Sequence, residues 1–448
     1  MSSRLLLLLL FAAAPAFAQD DAQPWRAHEA LGLSWLRFGL EQRTRFEHVE
    51  NDFRPAAGSD STGLALRTLL SAELRFLPVV VGFELQDSRL YATRDTPLNT
   101  THVNPLELLQ GYVGLRRGAL SLTLGRFTMD LGSRRLVARN EFRNTINGFT
   151  GVDVMWTRAS RLTLRAFAMM PVIRLPLETG ALAKNAVAFD VENTSAFFAG
   201  GFVSAPLGAE VQVEAYVLGL HESDHPLAPS ADRRLVTPGV RLLRPPANGT
   251  FDFQLEMMAQ LGTSRATAEA ADGRDLAHRA FSAHLSAGWR FDVAASPRLA
   301  LQYDFASGDD DARDGLNGRF DVLFGARRFE LGPTGLWGAI ARSNLHSPGV
   351  RVEVAPHPTL EAFAAYRALW LASPRDAWTT APLVDPTGAS GTFVGHHLEA
   401  RVRWSPLPRN LALEVGGAWL AQGTFAKSAP GARGGDSVYA YAQLVTAL

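Results

Sequence analysis

Trp35-Leu36-Arg37-Phe38-Gly39-Leu40-Glu41-Gln42-Arg43-Thr44-Arg45-Phe46-Glu47 alternates with a period of two. Arg37, Glu41, Arg43, Arg45 and Glu47 share one parity; Leu36, Phe38, Leu40 and Phe46 share the other. Successive side chains of a β-strand project to opposite faces, so this segment has one apolar and one ionic face. The pattern recurs along the chain. Arg67, Glu73 and Arg75 oppose Leu66, Leu70, Leu74 and Phe76; Glu210, Gln212 and Glu214 oppose Val211, Val213 and Val217. Asp252, Gln254 and Glu256 oppose Phe251, Phe253 and Leu255, and Glu399, Arg401 and Arg403 oppose Leu398, Val402 and Trp404.

A soluble sandwich would turn such apolar faces inward, and the connections separate the two readings. Short turn-like links fall at 77–78, 116–119, 158–160, 205–209, 245–249, 294–297, 355–358 and 406–409. Longer polar connections lie between them, near 48–63, 89–106, 127–148, 171–193, 221–235, 261–278, 307–344, 371–394 and 423–436. Eight turns and nine loops alternate without a break, which requires 18 antiparallel strands with both termini on the short-turn side. That is the layout of a closed transmembrane β-barrel, with short periplasmic turns and long extracellular loops. No water reaches the bilayer core, so every backbone group must pair within the protein, and a closed sheet leaves no open edge. Trp156, Trp289, Trp370, Trp404 and Trp419 fall near strand ends, where interfacial girdles sit.

Composition narrows the class further. Apolar residues are 47% of the chain and charged residues 20%, finely interleaved. A net charge of zero removes any case for a nucleic-acid partner. There is no cysteine, and Lys184 and Lys427 are the only lysines, so the positive charge is almost all arginine. Met1-Ser2-Ser3-Arg4, the apolar run to Phe17 and Ala16-Phe17-Ala18 predict a signal peptide over 1–18. Residues 19–34 then form a short periplasmic segment and 35–448 the barrel. No later segment reaches the roughly 18 uninterrupted apolar residues of a membrane helix.

Several motifs carry a family likeness. Leu124-Gly125-Arg126-Phe127-Thr128-Met129-Asp130-Leu131-Gly132-Ser133-Arg134-Arg135-Leu136-Val137 precedes Asn140-Glu141-Phe142-Arg143-Asn144 and Gly148-Phe149-Thr150-Gly151-Val152. Further on come Tyr303-Asp304-Phe305-Ala306-Ser307-Gly308-Asp309, Phe320-Asp321-Val322-Leu323-Phe324, Ser343-Asn344-Leu345 and Trp370-Leu371-Ala372-Ser373. With Glu84-Leu85-Gln86-Asp87-Ser88-Arg89 ahead of them, these stretches resemble the alginate export family of outer-membrane barrels over nearly the whole mature chain. Thr150 stands where the family has aspartate, and Leu448 ends the chain where such barrels usually end on an aromatic residue. The resemblance implies an 18-stranded barrel in the outer membrane of a Gram-negative bacterium, passing a polysaccharide or another anionic solute. Its expected partners are outer-membrane lipid and lipopolysaccharide, the barrel-assembly machinery, an anionic saccharide and a periplasmic export complex.

A path for anions calls for guanidinium groups, which pair with carboxylates in a planar, two-pronged way. The lumen candidates are Arg37, Arg43, Arg45, Arg67, Arg75, Arg165, Arg351, Arg367, Arg401 and Arg403. Glu41, Glu47, Glu73, Glu84, Glu210, Glu214, Asp252, Glu256, Asp304, Glu353, Glu361 and Glu399 are nearly as numerous, and pairing across strands accounts for many of these charges. Arginines concentrate on strands 1, 2, 15 and 16, while strands 9, 11 and 13 carry acids without arginines at the same parity. This predicts a transverse field with a basic track along one wall. Arg126, Arg134, Arg135, Arg139 and Arg143 mark loop 127–148 as a candidate constriction. Asp309-Asp310-Asp311-Ala312-Arg313-Asp314-Gly315 misses the EF-hand spacing, and His396 and His397 alternate to opposite faces, so no metal or cofactor is expected. No Gly-x-Ser-x-Gly, His-Glu-x-x-His or P-loop motif is present, and an enzyme is not expected. The leading expectation is passive passage of an anionic poly- or oligosaccharide. The second is a selective uptake channel for small anions or sugars, and the third a barrel plugged by its own loops.

Overall fold

The computed structural model describes residues 26–448, apart from 56, 95, 159, 160, 270 and 329; the proposed signal peptide lies outside the described residues. A short helix, Ala27–Ala30, precedes the first strand. The strands are β1 Leu36–Glu50, β2 Ser61–Phe76, β3 Val79–Ala92, β4 Asn104–Arg117, β5 Leu120–Phe127 and β6 Phe149–Thr157. They continue with β7 Thr163–Ile173, β8 Ala196–Leu207, β9 Val211–Glu222, β10 Arg234–Arg244, β11 Thr250–Ser264 and β12 Leu276–Arg290. β13 Arg298–Ala306, β14 Leu345–His357, β15 Leu360–Trp370, β16 Phe393–Leu407, β17 Leu411–Gln422 and β18 Ser437–Ala447 complete the wall.

Each strand pairs antiparallel with its neighbour in sequence, and β1 pairs with β18 from Glu41↔Ala447 to Glu50↔Val438, closing an 18-stranded barrel. All eight expected turns and all nine long loops, L1 to L9, fall where the alternation places them. Two-residue strands in the fourth and seventh loops, Val191–Glu192 and Leu316–Asn317, lie outside the wall numbering.

The faces decide between membrane barrel and soluble sandwich. Val415 is 61% exposed and Val217 53%, whereas Arg45 is 0% and Asp304 2%. Apolar faces thus surround the barrel and ionic faces line it, as a lipid-facing wall with a polar interior requires. Inside, strands set bulky residues against glycine. Tyr216 lies flat across Gly239 of β10, where a Cβ would approach the ring to 2.3 Å.

The conventional apolar core belongs to the loops. Phe53, Val103, Leu136, Leu336 and Trp337 are buried together with inward-facing Tyr439 and Leu420 of the wall. Phe53 packs edge-on to Trp337 at 5.3 Å between ring centres and stacks on Trp378 at 5.2 Å. The barrel therefore contains a plug built from its own connections.

Candidate functional site: the loop-crossed lumen

β5 and β6 are short, with 8 and 9 residues, so L3 (128–148) leaves the wall low and turns into the lumen. Two opposing walls hold it. On β1 and β2, Arg43 donates to the carbonyl oxygens of Glu141 (2.7 Å) and Arg143 (2.8 Å). Arg45 donates to that of Phe142 (2.6 Å) and Arg67 to that of Glu141 (2.7 Å). Three guanidinium groups thus grip one turn of loop backbone; their fixed forks of donors suit this task. On the far side, buried Arg135 of L3 reaches Glu256 of β11, which also accepts the Tyr216 hydroxyl at 2.7 Å.

L7 (307–344) lies against L3. Val137 and Phe324 form a parallel bridge. Ala138 N–H donates to Phe324 O (3.1 Å), Phe324 N–H to Leu136 O (2.9 Å) and Ala326 N–H to Arg134 O (2.9 Å). Gly325 is obligatory here, because a Cβ would sit 1.7 Å from the Arg135 carbonyl. Asn147 donates to Ala138 O (2.8 Å) and Phe324 O (3.1 Å), locking both loops together. Glu330 of L7 receives Arg135 at 2.6 Å and also pairs with Arg342. At the L7 tip, Leu336 N–H donates to Glu47 (3.1 Å) and the Trp337 indole to His397 Nε2 (3.2 Å).

This crossing divides the lumen. An outer cavity of about 410 Å³ is lined by Arg143, Arg174, Arg327, Asn140, Asn147 and Thr379, among others. An inner cavity of about 260 Å³ holds Arg43, Arg67, Arg134, Arg328, Arg401 and Arg403 with Glu41, Asp130, Glu141 and Glu414. Asn140 borders both. No carboxylate among the described residues lies within ion-pair distance of Arg143, Arg174 or Arg327. Arg143 and Arg174 share the Asn147 side-chain carbonyl. Burial and the charges of Arg174 and Arg327 push the Arg143 guanidinium well below its ordinary value. Burial with Arg54 and Arg342 brings Arg327 to about 10, still cationic at neutral pH. Arg143 is repelled by both of the other cations, while Arg174 is drawn to the Asp190 carboxylate outside the cavity lining; three cations around one cavity are best satisfied by an anion.

The remaining candidates have the following places. Arg37 and Arg75 line a periplasmic cavity, Arg75 bonded to Glu73 at 2.6 Å. Arg165 is paired with Asp153 (2.7 Å), Arg351 with Glu353 (2.7 Å) and buried Arg367 with Asp304 (2.8 Å). Arg401 lies 2.6 Å from Glu361, and Arg403 3.7 Å from Glu414. In L3, Arg139 clasps Glu84 at 2.6 Å and Arg134 lies 4.0 Å from Asp130. Two expectations need correction. Arg126 stays at the wall with Glu107 (2.6 Å) and Glu192 (2.7 Å), outside the constriction, because β5 extends through it. β13 does carry an inward arginine: Arg298 shares the parity of Asp304 and pairs with Asp252 at 2.5 Å. Arg174, Arg327, Arg328 and Arg342 were missed. The signal was available in part, since Arg327-Arg328 repeats in L7 the paired arginines Arg134-Arg135 of L3.

The alginate export family model matches residues 34–440. The chain belongs to the alginate export family. Solved outer-membrane proteins share the fold of this family member. OccAB1 of Acinetobacter baumannii has 14% identity, a TM-score of 0.60 and coverage of 92% of this chain and 96% of that one. OccK9 (OpdG) of Pseudomonas aeruginosa has 15% identity, a TM-score of 0.58 and coverage of 92% and 98%. OpdK of Pseudomonas aeruginosa, solved with vanillate, has 13% identity, a TM-score of 0.56 and the same coverages of 92% and 98%. No curated protein matches the sequence. This alginate export family barrel is an outer-membrane channel of a Gram-negative bacterium.

Proposed function

We propose that the channel passes small anionic solutes, single or few-unit acidic saccharides and comparable carboxylates, by diffusion through the two cavities in series. The carrying observation is the Arg143–Arg174–Arg327 cluster, which faces an outer cavity with no Asp or Glu among its lining residues. A carboxylate entering there replaces water around three cations in a partly enclosed, weakly screened space, where charge pairing is strengthened. Below the crossing, Arg328, Arg401 and Arg403 extend the basic lining, with Glu41 and Glu414 among them to limit retention. A solute must be held weakly enough to leave. The sizes of the cavities, about 410 and 260 Å³, favour short solutes over a polymer threading the loop crossing.

The test is reversal potential in planar bilayers under a potassium chloride gradient, followed by titration with glucuronate and with a uronate polymer. Wild-type protein should prefer anions and be blocked by the monomer. R143Q/R327Q should lose most of that preference. Equal anion selectivity in the variant would overturn the reading, and block by the polymer alone would return the assignment to polysaccharide passage.

A further inference from the structure

The wall above β5 lacks a strand. β4 pairs with β5 only from Gly111↔Arg126 to Arg117↔Leu120, which leaves 104–110 without a strand on that side. β3 in turn outruns β4, since their last partners are Ser88 and Asn104. Open strand edges facing hydrocarbon are not tolerated, because their N–H and C=O groups have no water to bond.

L4 (174–195) covers this edge. The Asn185 side chain substitutes for a strand: it accepts from Leu90 N–H (2.8 Å) and donates to Leu90 O (3.1 Å). Asp190 takes Asn104 Nδ2 at 2.9 Å, and its own N–H donates to Glu107 (2.8 Å). Val191 and Glu192 pair antiparallel with Ile173 and Val172. The Glu192 carboxylate accepts Arg126 (2.7 Å) and Thr150 (3.1 Å), and those two residues are ladder partners. By alternation Arg126 and Thr150 fall on the face of Leu124 and Val152, and Leu124 is exposed on the outside of the barrel. The strap therefore lies at the outer face.

Its side chains continue the lipid-facing pattern. Val187 and Phe189 alternate outward, 48% and 67% exposed, while Asn185 between the strap and β3 is buried. Leu106, Leu108 and Leu124 are among the exposed apolar residues on the neighbouring strands. We infer that residues 186–192 act as a surrogate wall strand whose Val187 and Phe189 contact the acyl chains of the outer leaflet. The partner is fixed by continuity: the patch extends an apolar surface that already meets lipid, and the Asp190 and Glu192 carboxylates beside it are bonded to Asn104, Arg126 and Thr150.

The absence of cysteine makes the test direct. F189C and V187C, each labelled with an environment-sensitive fluorophore, are reconstituted in bilayers with brominated acyl chains. L124C supplies the lipid-facing reference and D310C, at an exposed position of L7, the aqueous one. Both strap labels should be blue-shifted and quenched to the extent seen at L124C. Emission and quenching matching D310C at either strap position, in protein that keeps its folded, heat-modifiable mobility, would overturn the inference.

Discussion

The two walls that suspend L3 use opposite chemistry. On β1 and β2, Arg43 and Arg67 hold the loop through neutral carbonyl oxygens; Arg67 also pairs with Glu41 at 2.7 Å, whereas no carboxylate among the described residues lies within ion-pair distance of Arg43, which keeps most of its charge for the lumen. Across the lumen, Glu256 of β11 together with Glu330 of L7 holds it through Arg135, cation against anion, with little charge left over. A buried ion pair is expensive to break because the survivor is stranded without water, whereas a carbonyl grip loses individual hydrogen bonds. The ion-paired wall is therefore the mechanical anchor, and the carbonyl-bonded wall supplies both support and positive potential.

Removing the anchor should have the largest effect. E256Q strands part of the fully buried Arg135 charge and should cost about 3 kcal/mol of stability, read as an earlier midpoint of chemical unfolding in detergent. A midpoint equal to wild type would show that both walls are mechanically equivalent. Next, R43Q/R67Q should release residues 141–143, at about 1–2 kcal/mol for hydrogen bonds to a charged group, and raise single-channel conductance while weakening anion preference. Unchanged conductance would mean that the carbonyl grip does not set the bore.

Acid sharpens the contrast. Burial by itself would raise the Glu330 carboxyl, but Arg135 and Arg342 hold it down at about 2, from an ordinary 4.5. A depressed carboxylate contributes stability that is complete above its unfolded value and is lost as pH falls through the folded one. The crossing should thus keep its conductance from pH 7 to 5 and give way only as pH approaches about 2. Bilayer recordings that open near pH 5 would contradict this pairing. The smallest effect is expected at the periplasmic mouth. There Arg75 and Glu73 are partly exposed, and R75Q should change stability by about 0.5 kcal/mol or less.

Much of the architecture was legible because a barrel strand obeys a local rule. Lipid on one side and polar lumen on the other impose period two on every crossing, and the turns and loops between crossings can be counted. The wall positions of Arg43, Arg67 and Glu256 follow from parity alone. The use made of them does not. Arg43 and Arg67 were expected to face solute, yet they are spent largely on loop carbonyls contributed 74 to 100 residues away. The Arg327-Arg328 pair echoes Arg134-Arg135, but L7 has no strand alternation to show where Arg327 points.

Alternation, turn spacing and family motifs thus fixed the strand number, the closure and the lipid-facing side, since each depends on contacts between neighbours in the chain or on the solvent at each face. Which arginines keep their charge for a solute, and where the lumen narrows, depended on how L3 and L7 fold back between the walls. Those contacts join distant segments, and the same guanidinium can bind a carbonyl, a carboxylate or an ion depending on what is packed beside it.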